Sequence, residues 1–263
     1  MAEDILLDIN DGIATITLNR PEKRNAFHLD MVDRWADTVT ACADNDDVRV
    51  IVITGAGEAF CSGGDIQDLM GARQDMGPED RKKELTGHVH RLVRAFQIND
   101  KPVIAAMNGV ATGAGLDLAL YADLRYAAAS ARFSETYVKV GLIPGAGGAW
   151  ILPRIVGTAK ALELFWTADF VDAEEALRLG LVNNVFADDA LMDEVMAIAR
   201  KIAAGPQFAN EAIKRAVYHG RSSDLPTALD LISSAYTIAA TGPDHAEAVS
   251  AFLEKRRPEF GKK

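Results

Sequence analysis

Apolar and polar residues follow two different periods along the chain, which together predict a mixed α/β fold. Residues 5–9 and 13–18 are apolar or alternating and flank an Asn-Asp-Gly turn at 10–12, a pattern typical of a β-hairpin. Between residues 31 and 42 the apolar positions recur at helical spacing and predict a helix with one buried face. The apolar run 48–54 predicts a strand that is buried on both faces.

Further along, short apolar runs at 103–107 and 124–128 predict two more buried strands. Beyond residue 149 the pattern is helical, apart from one predicted strand at 181–186. The last helices are expected at 209–218, 225–241 and 243–255. They carry more apolar surface than a terminal appendage needs, so we expect them to pack against neighbouring subunits.

The repeated strand–strand–helix spacing predicts an α/β fold built as a spiral of ββα units. We expect a core at 1–200 and a C-terminal helical subdomain at 201–263 that packs on the core or on a neighbouring subunit. The segment 67–87 shows no clear period before Glu79 and is expected to be a mobile surface segment. Two interpretations of it stay open, a mobile lid over a ligand and a variable surface loop.

The amino-acid composition limits the kinds of molecule that the protein is expected to bind. The 263 residues include 28 basic and 38 acidic ones, for a net charge of −10, which argues against nucleic acid or an anionic membrane as a partner. No apolar run approaches membrane-spanning length, and the acidic start of the chain is unlike a secretory signal. Cys42 and Cys61 have the pattern of reduced thiols, and neither they nor the scattered histidines predict a metal site. The expected location is therefore cytoplasmic.

Two glycine-rich stretches follow predicted strands and precede helical patterns, at 59–65 and 109–117. A tight turn from a strand into a helix leaves backbone N–H groups without partners and without bulky side chains around them. Such a turn can bind a negative oxygen. We therefore interpret the two turns as parts of one site.

Each glycine cluster by itself also fits tight packing between a strand and a helix. A dinucleotide fingerprint does not fit, because the glycines at 55 and 57 are followed by Phe60 where the third glycine is required. A phosphate-binding loop is excluded by the absence of its Lys-Ser/Thr pair.

Five short motifs occur in order along the chain. They are Arg20-Pro21 with Asn25-Ala26, Phe60 to Ile66, Asn108-Gly109 with Gly113-Ala114-Gly115, Gly141 to Gly148, and Phe252 to Arg256. From about the first strand to the last helix, this set resembles the crotonase, or enoyl-CoA hydratase/isomerase, superfamily. The resemblance implies the crotonase-like spiral fold and a C-terminal helical region that forms oligomers.

The resemblance also implies a chemistry. Members of the superfamily bind acyl-CoA thioesters, so coenzyme A is part of the substrate and no cofactor is bound permanently. They stabilise an enolate on the thioester oxygen with two backbone N–H groups, which by the motif match belong here to Gly64 and Ala114. The family more often has glycine at the second position, and alanine serves because only its N–H is used.

By the same resemblance, binding of coenzyme A requires a local group of positively charged residues, although the chain as a whole is acidic. Arg24 lies in a turn that borders the nucleotide in the family, while Arg20 and Lys23 beside it are expected to be solvated. The residues that match the adenine- and pantetheine-binding turn are Ser62, Asp65, Ile66 and Gln67. Phe252 and Lys255 match a last helix that covers the nucleotide of a neighbouring subunit, in a homotrimer or a dimer of trimers.

Relatives that hydrate enoyl thioesters use two glutamates, and at those two positions this chain has Asp117 and Tyr137. Tyrosine donates a hydrogen bond but is a poor base near neutral pH, since its reference pKa is about 10. Glu135 is the nearest spare carboxylate. In an extended segment it faces the same side as Tyr137, whereas in a helix the two diverge by roughly 200°. Glu135 is thus either a replacement base or a solvent-exposed helix cap, and we expect the exposed cap. Gly145 stands where some isomerases have an aspartate.

Three functions stay open at this point. The first is an enzyme of the enoyl-CoA hydratase/isomerase type, with Asp117 as acid/base. The second is hydrolysis, decarboxylation or carbon–carbon cleavage of a CoA ester on the same fold, suggested by the altered glutamate positions. The third is a non-catalytic acyl-CoA-binding protein.

Overall fold

The computed structural model describes residues 3–71 and 76–261, with the backbone alone at 69–71. The larger of two sheets has six strands, in spatial order β1 Ile5–Asn10, β2 Ile13–Leu18, β3 Val50–Gly55, β5 Val103–Met107, β7 Leu124–Ala128 and β10 Asn184–Phe186. β1 and β2 form the predicted antiparallel hairpin, and all pairs from β2 onwards are parallel. Every residue of β3 is buried, as expected of a strand covered on both faces.

A smaller sheet consists of β4 Ala59–Cys61, β6 Val110–Thr112, β8 Arg132–Ser134 and β9 Val171–Asp172. Three times the chain passes from the larger sheet to the smaller one and then into a helix. The helices that close these units are α2 Ile66–Gly71, α5 Ala114–Ala119 and the 3₁₀ turn Thr136–Val140. The prediction of a spiral of ββα units is confirmed.

The remaining α-helices of the described chain are α1 Leu29–Asp44, α3 Pro78–Glu84, α4 His90–Ile98, α6 Gly148–Val156, α7 Thr158–Thr167, α8 Ala173–Arg178, α9 Leu191–Ala203, α10 Gln207–Gly220, α11 Leu225–Thr241 and α12 Pro243–Glu254. A π-helical turn, Leu85–Val89, joins α3 to α4. α1 packs on α4, with the rings of Trp35 and Phe96 edge to face at 6.1 Å between centroids.

The segment 67–87, which shows no clear apolar period before Glu79, is largely helical among its described residues. α2 covers its beginning, and α3 with the π-helical turn covers its end, while residues 72–75 lie outside the described residues. Pro78 is the first residue of α3, and Glu79 and Asp80 follow in its first turn. Proline and acidic side chains both favour the start of a helix, a signal that the missing apolar period hid.

α9 packs on the larger sheet through buried residues spaced four apart, Leu191, Val195, Ala199 and Ala203. α9 thus extends beyond residue 200, where the core was expected to end. α10 is tied to the core by polar contacts: Lys214 Nζ pairs with Asp123 at 2.8 Å and Tyr218 Oη donates to the same carboxylate at 2.9 Å.

α11 packs on α10, and α12 packs on α11. Among their described residues only Ala251 is buried. Large apolar side chains stand exposed on both helices, including Leu225, Tyr236 and Phe252. These helices therefore present apolar surface that the single chain does not cover.

Candidate functional site

The two glycine-rich turns, which follow β4 and β6, lie side by side. Thr112 Oγ1 donates to the carbonyl oxygen of Ser62 at 3.0 Å and joins the turns. Gly63 has a φ of +91°, and a Cβ there would stand 3.0 Å from the Thr112 oxygen and 3.4 Å from the Ala114 nitrogen. Glycine is favoured by both the backbone angle and the close approach. The structure thus brings together the two turns that the sequence assigns to one site.

Each turn carries one backbone amide without an acceptor. Ala114 is the first residue of α5, so its N–H has no carbonyl one turn earlier in the helix. On either side of Gly64, the Gly63 oxygen accepts from Phe27 N and the Asp65 nitrogen donates to Phe27 O, both at 2.8 Å. Within residues 3–71 and 76–261, neither the Gly64 nor the Ala114 amide donates a hydrogen bond.

Both amides belong to residues in the wall of a cavity of about 440 Å³, a size suited to a small-molecule ligand. Tyr137 also lines this cavity, beside apolar side chains such as Phe27 and Leu85. Two other cavities, of about 250 and 520 Å³, lie against α10, and neither is lined by a residue predicted for the site.

Asp117, Glu135 and Tyr137 form a cluster behind this wall. Tyr137 Oη donates to Asp117 Oδ2 at 2.6 Å and accepts from the Ala146 amide at 3.4 Å. Asp117 lies in the first turn of α5 with 0% of its surface exposed, and Glu135 precedes the 3₁₀ turn with 1% exposed. Of the three, only Tyr137 lines the cavity.

The expectation that Glu135 is a solvent-exposed cap was wrong. Its side chain makes no capping hydrogen bond and is buried. It lies next to Asp117, whose charge contributes to raising the pKa of Glu135. The chain turns between Glu135 and Thr136 into a 3₁₀ turn, so neither the extended nor the helical case applies. Glu135 and Tyr137 consequently both face Asp117.

Burial governs the acidity of all three groups. It raises the pKa of Asp117 to about 7, although the hydrogen bond from Tyr137 and the nearby Gly148 amide dipole favour the carboxylate. Burial and the neighbouring Asp117 charge raise the pKa of Glu135 well above its usual value. The same two causes raise the pKa of Tyr137.

Gly148 gives the Asp117 carboxylate the space it occupies. A Cβ at Gly148 would stand 1.8 Å from Asp117 Oδ1 and 2.5 Å from its Cγ, a distance that no side chain tolerates. The predicted glycine-rich turn at 141–148 therefore has a definite packing role at the start of α6.

Four of the residues predicted to hold coenzyme A, Ser62, Asp65, Ile66 and Gln67, lie in the turn after β4 and at the start of α2, but not all are open to a ligand. Ser62 and Ile66 line the cavity, and Arg24 is exposed with a φ of +51°. Asp65 is buried and pairs with Arg20 at 3.3 Å and with Lys23 at 3.7 Å. Although burial opposes it, these cations and backbone amides hold the pKa of Asp65 below its usual value.

The expectation that the Arg20 side chain is solvated was wrong. Its guanidinium donates to the Ala26 carbonyl oxygen at 2.6 Å and is mostly buried against Asp65. Lys23 is partly exposed and donates to Gln67 Oε1 at 3.0 Å. Arg20 and Asp65 thus hold the turn together, while Lys23 contacts it from an exposed position, as expected.

Phe252 and Lys255 end α12 and do not line the cavity of their own chain. The Phe252 side chain is 82% exposed, and Lys255 has a φ of +55° just past the helix. Within one chain, the structure does not bring these two residues to the site.

One contact at the site was missed from the sequence, where the histidines are scattered. His90 Nε2 donates to the Gly145 carbonyl oxygen at 2.9 Å and so anchors the turn that carries Ala146. The signal that could have found it is the position of His90 directly after Val89, which lines the cavity. Cys61, in contrast, is a buried free thiol as expected, and burial raises its pKa to about 12.

Across the described ranges, no group of three or more His, Cys, Asp or Glu side chains could hold a metal ion. No described helix is both long and apolar enough to cross a membrane.

The family model described as enoyl-CoA hydratase/isomerase matches residues 8–263. The chain is 39% identical to the 1,2-epoxyphenylacetyl-CoA isomerase of Escherichia coli strain K12, over 99% of each protein. It is 37% identical to the crotonyl-CoA hydratase of Syntrophomonas wolfei, over 98% of each.

Among solved structures, the enoyl-CoA hydratase of Bacillus anthracis superposes with a TM-score of 0.92 at 33% identity. That match covers 98% of this chain and 99% of the other. The sequence matches and the structural match therefore both extend over nearly the full length of these relatives.

Proposed function

The chain belongs to the enoyl-CoA hydratase/isomerase family, and on this premise we propose that it acts on an unsaturated acyl-CoA thioester through an enolate. The observation that carries the proposal is the pair of backbone amides, at Gly64 and Ala114, that lack acceptors beside a cavity. Coenzyme A enters as part of the substrate.

In this proposal the thioester oxygen binds between the Gly64 and Ala114 amides. When a proton leaves the acyl carbon next to the thioester, negative charge develops on that oxygen. Fixed backbone donors stabilise this charge without having to reorient, and each such donor is worth roughly 10²- to 10³-fold in rate. The mainly apolar wall around them excludes water, which strengthens the interaction.

Asp117 is the proposed acid/base, and Tyr137 assists it from the cavity wall. The two-glutamate arrangement of hydrating relatives is replaced by this aspartate–tyrosine pair, joined by a 2.6 Å hydrogen bond. A pKa of about 7 suits a group that must both accept and return a proton near neutral pH.

We further propose that Arg24, Ser62, Ile66 and the backbone of Asp65 and Gln67 bind the coenzyme A moiety. Phe252 and Lys255 would cover it from a neighbouring subunit of a homotrimer or a dimer of trimers. The exposed apolar side chains of α11 and α12 support such an assembly, since a lone chain leaves them in water.

Two coarser proposals accompany these. The core is taken as 1–200 and the C-terminal helical subdomain as 201–263, supported by the packing of α10, α11 and α12 mainly on one another. A cytoplasmic location is supported by two cysteines that are both buried free thiols.

The test is a panel of short, medium, ring-bearing and aromatic enoyl-CoA substrates, assayed by loss of the conjugated thioester absorbance. We expect turnover of at least one class. Calorimetric binding of CoA esters without turnover would indicate a non-catalytic binding protein. Release of free coenzyme A, detected with a thiol reagent, would instead indicate a hydrolase.

A further inference from the structure

Three carboxylate oxygens in the cluster behind the cavity have no hydrogen-bond donor. They are Asp117 Oδ1, Glu135 Oε1 and Glu135 Oε2, and all three are buried. Both carboxyls are fully enclosed, and Glu135 takes no direct part in the mechanism proposed above. A buried polar atom without a partner costs free energy, and a buried ionised one costs far more.

No cation compensates these charges. In the part of the chain that the structure describes, no Lys, Arg or His nitrogen lies within 4.0 Å of either carboxyl. The titratable groups that face them are Tyr137, from the 3₁₀ turn, and Tyr121, which follows α5. From the start of α6 and the turn before it, they meet only the Gly148 and Ala146 amides.

Two facing carboxylates are acceptors only, so they cannot hydrogen-bond to one another while both are ionised. A single proton between them changes this, because a protonated carboxyl supplies an O–H donor. That donor satisfies an oxygen of the other carboxylate and removes one of the two buried charges. Paired carboxyls with no cation commonly titrate as such a unit.

We propose that Glu135 remains protonated and donates its proton to Asp117, and that Tyr137 relays protons between this pair and the acyl group in the cavity. Glu135 is then a positioning residue, which fixes the ionised state and orientation of Asp117. The relay rests on the proposed function, whereas the shared proton does not.

The relay follows from which atoms reach the cavity. Asp117 is enclosed, while its hydrogen-bond partner Tyr137 lines the wall. In the forward step a C–H bond of the acyl group breaks and its proton bonds to Tyr137 Oη, as the phenolic proton moves to Asp117 Oδ2. The C–H electron pair stays on the substrate as the enolate held by Gly64 and Ala114. The reverse transfers return the proton to a carbon.

The charge balance favours this direction of transfer. Before the step the buried pair carries one negative charge, and after it the pair is neutral. The negative charge has moved to the thioester oxygen, where the Gly64 and Ala114 amides are positioned to donate hydrogen bonds to it. The tyrosine never becomes a free phenolate, which its raised pKa would oppose.

Infrared difference spectroscopy at pH 8 tests the shared proton without any substrate. We expect the carbonyl band of a protonated carboxylic acid in the wild-type protein, absent in E135Q and retained in E163Q, whose side chain is exposed. In D117N the band should persist and disappear at a lower pH than in the wild type, because the neighbouring charge is gone. Absence of the band from the wild type, or its persistence in E135Q, would overturn the shared proton.

Kinetics test the relay. Y137F should lose kcat by the same 10²- to 10⁴-fold factor as D117N, as expected when a proton path is cut. E135Q should lose only about ten-fold in kcat with KM unchanged, since its amide still donates to Asp117. A small effect of Y137F beside a large one of D117N would overturn the relay. Absence of turnover in the wild type would remove the proposed function, while the infrared result would still decide the shared proton.

Discussion

The two halves of the site are opposite in kind. The turns at Gly64 and Ala114 hold donors without acceptors, whereas the cluster of Asp117 and Glu135 holds three carboxylate oxygens without donors. The first half is backbone, fixed by the neighbouring strands β4 and β6 of the smaller sheet, and is insensitive to most side-chain changes. The second half is made of side chains whose ionisation depends on burial. In the proposed mechanism, the backbone half stabilises charge and the side-chain half moves protons.

The largest expected effect comes from Asp117→Asn, which keeps shape but cannot accept a proton. We expect kcat to fall by roughly 10²- to 10⁴-fold. In the wild type, kcat/KM should rise as pH passes through about 7, because the raised pKa of Asp117 leaves its base form populated only above that pH. Asp30→Asn on the exposed face of α1 is the control. An unchanged rate in Asp117→Asn would show that the proton is moved elsewhere.

The backbone half is broken by Ala114→Pro, which removes the N–H at the first helical position, where proline is well tolerated. We expect a loss of roughly 10²- to 10³-fold in kcat. Ala114→Gly keeps the N–H and should retain wild-type kcat within a few-fold. Equal rates in the two variants would contradict the role given to this amide.

A smaller effect is expected at α12. Phe252→Ala should raise KM by roughly ten- to hundred-fold with kcat unchanged, because burying an aromatic side chain against a ligand is worth about 1.5–3 kcal/mol. The neighbouring exposed Leu253→Ala is the control. Mass photometry of both variants should still give a trimer or hexamer. A monomeric wild type with full activity would refute the shared site.

Gly148→Ala is expected to act on stability as well as on activity, because its Cβ would meet Asp117 Oδ1 and force the proposed acid/base to shift, so that kcat should fall together with the Tm. Overpacking of this kind costs about 1–3 kcal/mol. The Tm should fall by about 2–4 °C for each kcal/mol, as followed by thermal unfolding. Gly220→Ala, where a Cβ meets nothing within 4 Å, should leave the Tm unchanged or slightly higher.

The two halves also differ in how far the sequence predicts them. Strand ends and glycines are local signals, and they led to the turns at 59–65 and 109–117 and to their adjacency. The burial of Glu135 is not a local property. It depends on a 3₁₀ turn and on α5 packing against it, so residue spacing alone predicted an exposed side chain.

The turn after β4, which is proposed to bind coenzyme A, likewise has one feature that the sequence predicts and one that it does not. The motif placed Asp65 correctly in the turn after β4, but its burial depends on Arg20, which is 45 residues away in sequence. Pairing across such a distance leaves no periodic pattern. In α3, by contrast, Pro78 gave a local start signal that the polar composition of the segment concealed.

The central claim is that the Gly64 and Ala114 amides bind the thioester oxygen. The most direct test is a crystal structure with a slowly reacting acyl-CoA analogue bound. We predict the thioester oxygen within about 2.7–3.1 Å of both amide nitrogens, with Tyr137 Oη facing the adjacent acyl carbons. A thioester oxygen bound away from either amide, in a complex that retains the acyl group in the cavity, would contradict the account.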